Sequence, residues 1–357
     1  MGAIDVGKRM PRRQSATIAD VAREAGVSRA AVSKVLRNAY GVSDQMRQRV
    51  QTAIEQLGYR PRVAARAMRG SSYTIGLEIP QITNDFLTMI VHGALEALVG
   101  SPYRLIVAPV TSTSDSTQAI ESLADRQVDA LISVVPLADH AWLDRMSIGI
   151  PTVLIGSHEV SPCFDTVVGA DEAGAHLVMD HLFELGHERI AHLTRRRVSP
   201  TPEPADPADW LQTGRDPHDI RGRVYLERMR ENDYTPVLLT TGPEELEAKA
   251  AWAEFLDSAE RPTALFAGND TLAIGALRAN IERNLGPADI SVVGYDDTTI
   301  ASHPALSLTS VDQSGHSMGT AAVRLLMERL EGRHESVFVE QPVTLKVRSS
   351  TTEARRP

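Results

Sequence analysis

Residues 17–61 read TIADVAREAGVSRAAVSKVLRNAYGVSDQMRQRVQTAIEQLGYRP, and their punctuation predicts three short helices. Thr17 stands before Ile18, Val21, Ala22 and Ala25, which are apolar at helical spacing, and Asp20 follows three residues later as the second half of a capping box. Gly26 ends that helix. One residue later Ser28 is placed to cap a second helix, with Ala31, Val32, Val35 and Leu36 on its apolar face. Ser43 caps a third, with Met46, Val50, Ala53, Ile54 and Leu57 on one face and Gly58 and Pro61 as its stop. Two short helices joined by a glycine turn and covered by a third make a helix-turn-helix. The second helix leaves Arg29, Ala30, Ser33, Lys34 and Arg37 off its apolar stripe, where they reach bases and phosphates if it enters a major groove.

Charge is partitioned in the same way. Residues 1–70 carry 14 Lys and Arg against 5 acidic residues, a balance of +9, while the other 287 carry −18, which together give the −9 of the whole chain. A basic segment on an acidic body fits a polyanion-binding module attached to something that stays off the polyanion. A length of 357 residues leaves room for two or three domains, and 42% hydrophobic with 23% charged residues is an ordinary globular composition. No apolar run spans a membrane, and MGAIDVGKRMPRRQ lacks the apolar stretch of a secretory signal, so no membrane association and a cytoplasmic location are expected. The one cysteine, Cys163, allows no internal disulfide.

From Ser72 onward the texture changes. YTIGLEI, YRLIVAPV, DALISVV, PTVLIG, TVVGA, RIAHLT, PVLLTT, TALFAG and ISVVGYD are β-rich runs interleaved with helical stretches, the first at about 88–99. Continuous Val/Ile/Leu runs are the mark of buried parallel strands, and such sheets place ligand sites at the carboxyl ends of their strands. The polar residues at those ends are Gln81 and Asn84, Asn269 and Asp270, and Asp296 and Asp297. An Asp or Asn at such a strand end can instead cap the helix that follows.

The segment at 17–61 resembles the DNA-binding head of the LacI/GalR, or lactose-repressor type, transcription regulators. GLEIPQITNDFL, FAGNDTLAIGAL, ISVVGYDD and LTSVDQSGHSMG resemble the family's effector-binding core. The resemblance implies a small all-α helix-turn-helix head on an α/β body of two Rossmann-like lobes, like a periplasmic binding protein. The implied divisions are a head at 1–60, a hinge helix at 61–71, a first lobe from 72–170 with 315–342, a second from 171–314 with 343–351, and a tail at 352–357. It implies a homodimer on double-stranded operator DNA, most simply a repressor, controlled by a small effector such as a sugar, a sugar derivative or another metabolite. Arg29, Ala30 and Lys34 match the base-reading positions, Ser28, Ser33 and Tyr59 match backbone contacts, and Met68 stands where the family inserts a leucine into the minor groove. Arg62, Arg66 and Arg69 flank it. Arg37 replaces the family's usual Asn, and Ala30 can offer only a methyl contact, so specificity rests on Arg29 and Lys34, for which phosphate contact is the alternative.

For the effector pocket the resemblance implies Gln81, Asn84, Phe86, Arg223, Asn269, Asp296 and Gln313. Pro243 and Gly315 stand where sugar-binding members stack an aromatic ring, and Gly156 and Val134 replace two positions that are polar in the family's type member. Residues 195–219, RRRVSPTPEPADPADWLQTGRDPHD, form a longer loop than in relatives, either a flap carrying Trp210 or a plain insertion. His176, His181, His187 and His192 cluster in sequence, but HERIAH spaces two of them five apart, where a metal-binding helix face needs four. With no nucleophile elbow and no phosphate loop, neither catalysis nor a cofactor nor a metal is expected. An exported solute-binding protein would account for the lobes but leaves the basic helical head unexplained.

Overall fold

The computed structural model describes residues 16–36, 39–59, 71–80, 84–110, 113–195, 214–257 and 261–355. The chain divides into two compact units, Met1–Ser72 and Tyr73–Pro357.

In the first unit, α1 (Ile18–Glu24), α2 (Arg29–Leu36) and α3 (Asp44–Leu57) follow the caps read from the sequence. The Thr17 hydroxyl accepts from the Asp20 backbone N–H at 3.3 Å, and the Asp20 carboxylate accepts from the Thr17 backbone N–H at 2.9 Å. Hydrogen bonding to Thr17, ahead of the nearby Arg23, lowers the Asp20 carboxyl below its usual range. Gly26 has φ +62°, a left-handed conformation that lets the chain reverse between α1 and α2 and that a side chain would strain. Ser28 then accepts from the Ala31 N–H at 3.1 Å, and Ser43 from the Met46 N–H at 3.3 Å. Val21, Val32 and Val50 are completely buried where the three helices meet, and Ala22, Ala25, Val35 and Ala53 close the space between them. A core this small leaves little margin: full burial of one such valine is worth roughly 1.5–3 kcal/mol.

The second unit holds two parallel sheets. The first runs β11-β5-β4-β3-β1-β2, built from β1 (Thr74–Pro80), β2 (Arg104–Val110), β3 (Ala130–Val134), β4 (Thr152–Ile155), β5 (Asp165–Gly169) and β11 (Phe338–Gln341). The second runs β12-β10-β9-β8-β6-β7, built from β6 (Ile190–Arg195), β7 (Val237–Thr241), β8 (Ala264–Ala267), β9 (Ser291–Tyr295), β10 (Thr309–Asp312) and β12 (Thr344–Lys346), the last pairing antiparallel with β10. Each sheet is covered by helices: α4 (Asp85–Ala97), α5 (Thr113–Asp125), α6 (His140–Gly149) and α11 (Gly315–Leu330) on the first, and α7 (Asp171–Glu184), α8 (Pro217–Glu231), α9 (Glu245–Leu256) and α10 (Asp270–Glu282) on the second. Helix α4 starts three residues before the predicted 88, because the Asn84 side chain accepts from the Phe86 N–H at 2.9 Å and opens it.

The chain passes from the first sheet to the second after β5, returns after β10, and passes again between β11 and β12. The carboxyl ends of the parallel strands of both sheets contribute to one cleft, as open α/β sheets require. Along β1, Ile75, Leu77 and Ile79 face the core shared with α4 and α11, while Glu78 faces the other side of the sheet. There Glu78 accepts from Ser116 of α5 at 2.9 Å and from Ser133 of β3.

Candidate functional site

The head presents one exposed polar face. On α2, Arg29, Ala30 and Lys34 are exposed and Ser33 half-buried, while Val32 and Val35 enter the core. Ser28 is held as the cap of α2, and Tyr59 packs against the rim of the head core. Arg37, Arg62, Met68 and the rest of the 61–70 stretch lie outside the described residues, as do Gln81 and residues 196–213 with Trp210.

The second unit contains a cleft of about 1110 Å³, counting its open mouth. It brings together Asn84, Phe86, Asn269, Asp296 and Gln313 of the expected set, with Pro243, Gly156 and Val134 also on its walls. Gly315 lies beneath the Phe86 ring, so close that a β-carbon there would fall 2.7 Å from it. Arg223 is a correction. It faces a separate cavity with His158, Glu172 and Gly214, and the arginine of α8 that enters the cleft is Arg221. Two residues along a helix turn the side chain by about 200°, so the neighbours point to opposite sides of α8.

Arg221 is almost wholly buried. Its Nε donates to Asp171 Oδ1 at 2.8 Å, its Nη1 to the Gly268 carbonyl at 2.7 Å and its Nη2 to Gln313 Oε1 at 3.4 Å. The guanidinium also lies 3.6 Å from the centre of the Tyr295 ring. Asp171 in turn meets His158 Nε2 at 2.7 Å. Burial pushes the Asp171 carboxyl up, but Arg221 and His158 together outweigh it and hold it below the usual carboxylate range. At Asp296 the outcome is reversed. Burial drives its carboxyl well above the ordinary value against the pull of Arg221, with Asp270 adding to the rise, and Gln313 Nε2 donates to it. Such a group keeps a proton readily and can donate or accept toward a hydroxyl.

Asn269 caps α10, accepting from the Leu272 N–H at 2.9 Å, and still lines the cleft. Asp270 and Asp297 do not. Asp270 accepts from Thr298 at 2.7 Å and Ser310 at 2.6 Å, and Asp297 pairs with Arg348 at 2.6 Å, so both tie the sheet to its neighbouring segments. His218 and Arg195, missed from the sequence, complete the polar side. Arg195 is paired with Asp216, while burial, then Arg195 and Arg221, push His218 well below its usual value and keep it neutral. Val135 and Asp296 line the cleft at φ +44° and +112°, and Ser314, next to Gln313, has φ +52°. Left-handed conformations cost non-glycine residues about 1–3 kcal/mol each and collect where a site imposes them.

The sequence cluster of histidines is dispersed. His176 meets Arg228, His181 meets Thr351, His187 meets Thr263 and Ser291, and His192 meets the Phe266 carbonyl. Burial lowers His192 to about 3. No helix among the described residues is long and apolar enough to cross a membrane.

A family model described as bacterial regulatory proteins, lacI family, matches residues 17–62, and one described as a periplasmic binding protein-like domain matches 179–351. The HTH-type transcriptional regulator reg1 of Streptomyces lividans is 33% identical over 354 residues, 94% of this chain and 97% of that protein. The HTH-type transcriptional repressor PurR of Vibrio atlanticus is 30% identical over 345 residues, 94% of this chain and 98% of that protein. Among solved structures, the lac repressor dimer bound to operator and the anti-inducer ONPF superimposes with a TM-score of 0.75 at 26% identity, covering 95% of this chain and all of that one.

Proposed function

The chain belongs to the lacI family of bacterial regulatory proteins, and from that premise we propose a repressor whose effector is a small, neutral, hydroxyl-rich molecule with one apolar face. It is a DNA-binding transcription regulator: the head supplies the DNA-reading helix and the two lobes supply the effector cleft. It binds operator DNA as a homodimer in the cytoplasm and has no catalytic role. Its half-sites are centred one helical turn apart, about 10 bp.

One observation carries the effector class. The buried cation of the cleft, Arg221, is already neutralised by Asp171, and the groups beside it, Asp296, Gln313 and Asn269, are uncharged or readily protonated. An anionic ligand would find no uncompensated positive charge there, whereas hydroxyls would find donors and acceptors. Facing them is a wall of Phe86, Leu87, Val110, Val134 and Ile155, which suits a ring face or alkyl arm. The effector positions Asn84, Phe86, Asn269, Asp296 and Gln313 are retained in this proposal, Gln81 is retained from the resemblance, and Arg221 takes the place of Arg223. On α2, Arg29 is assigned a guanine contact and Lys34 a neighbouring base, with Ser28, Ser33 and Tyr59 on the backbone.

A thermal-shift screen over neutral sugars and polyols, sugar acids and purines, followed by operator gel shifts with each hit, tests the effector class. Neutral hydroxylated compounds should raise Tm and change operator affinity. Stabilisation by sugar acids alone would overturn it.

A further inference from the structure

A second group of ligating side chains stands on the surface of the first lobe. His92 and Glu96 are four residues apart on α4 and so share a face of that helix, and His316 comes from the first turn of α11, packed alongside. His316 Nε2 lies 2.8 Å from a Glu96 carboxylate oxygen, and the His92 and His316 ring centroids are 5.6 Å apart. One ligand atom from each of the three falls within 4.8 Å of the other two. We propose that these residues form a site for a divalent transition-metal ion of the zinc type, held by two imidazoles and one carboxylate with water completing the coordination.

The geometry suits that ion. Bonds of about 2.0–2.2 Å in a tetrahedral shell set neighbouring donor atoms roughly 3.3 Å apart, a spacing that side-chain rotation reaches from the observed cluster. Two imidazoles with a carboxylate favour zinc, nickel, cobalt or copper over magnesium and calcium, which take oxygen ligands. The backbone beneath the site is also set in place. A β-carbon at Gly93 would lie 1.9 Å from the His316 carbonyl oxygen, and one at Gly319 would lie 2.0 Å from that of Ile90. Only glycine permits so close an approach, which lays the start of α11 directly against the turn between His92 and Glu96. The ligands therefore project from two helices locked together rather than from loops, the arrangement that gives a metal site its precision. Because His92 and Glu96 are exposed and His316 is partly so, capturing the ion needs no burial of charge.

The test uses the full-length protein, stripped with a chelator and dialysed, then titrated calorimetrically with zinc chloride. One zinc per chain is expected, with affinity falling about tenfold or more in His92→Ala and again in His316→Ala. Zinc should raise the Tm of the parent protein and not of the double variant, whose metal-free Tm stays at the parent value because both side chains reach the surface. Cobalt should give a tetrahedral visible absorption band that the double variant lacks. If the parent binds no zinc, if the double variant binds it with unchanged stoichiometry and affinity, or if magnesium displaces it at equal concentration, the proposal is overturned.

Discussion

Across the cleft, the first lobe presents Phe86, Val110, Val134 and Ile155, while the second presents Asp171, Arg221 and Asp296, linked in a chain through Gln313, with Asn269 beside them. The difference is one of tolerance. Polar groups packed at low exposure are costly unless every partner is in place, so the second wall is a coupled network in which one deletion disturbs its neighbours. The first wall is additive, since each apolar side chain contributes its own buried area. Orientation of a ligand belongs to the second lobe, and extent of burial to the first.

The sharpest way to break this contrast is Arg221→Ala. It leaves Asp171 buried with only His158, and a buried charge deprived of its partner costs about 3–5 kcal/mol. The midpoint of urea unfolding should fall accordingly, and a change below 1 kcal/mol would mean that the network is not coupled.

The first lobe hides its own polar group behind the sheet, and pH exposes it. Burial raises Glu78 to about 7, ahead of the opposing hydrogen bonds from Ser133 and Ser116. The folded state therefore holds this proton more tightly than the unfolded chain. Stability from the protonated form is complete below the unfolded value near 4.5 and is lost as pH rises through about 7, a swing of about 3 kcal/mol. Denaturation from pH 5 to 8 should show that decline in the parent protein and a flatter profile in Glu78→Gln; parallel profiles would remove the effect.

Asp296→Ala should abolish the effector response while leaving ligand-free operator binding near the parent value. The loss corresponds to a coupling of about 1–3 kcal/mol, or about 5–150-fold in operator affinity. A retained response of equal potency, read by gel shift, would take Asp296 out of the site. On the additive wall, Phe86→Ala should weaken effector affinity about tenfold, or ~1.4 kcal/mol, with the response intact, as measured by calorimetry. Smallest of all is Arg223→Ala, facing the neighbouring cavity, where effector affinity should change by less than about 0.5 kcal/mol.

Helix-turn-helix and lobes were legible because their signals are local. Thr17, Ser28 and Ser43 each act on an N–H three residues away, and the strand runs declare themselves by continuous apolarity. The cleft was legible where strand ends carry a polar residue, as at Asn269, Asp296 and Gln313. It failed at α8, PHDIRGRVYLERMRE, where buried positions run almost without a break from Pro217 to Leu226. A helix enclosed on nearly all sides has no apolar stripe to give its phase, so nothing local separates Arg221 from Arg223. Asp171 was hidden for a related reason, since an acidic residue in the first turn of a helix looks like an ordinary N-terminal charge.

What the amino-acid sequence determined by itself was therefore the elements, their order, the basic head on an acidic body and the family that they compose. These rest on caps, periodicity and charge, which act within a few residues. Tertiary structure alone decided which arginine enters the cleft, that Asp171 neutralises it, and that Asp270 and Asp297 serve the sheet rather than the site. It also decided that Glu96, with His92 one turn before it, meets His316 from 220 residues away. Those outcomes depend on helix rotation and close packing at glycines, and both are settled only when the whole core closes.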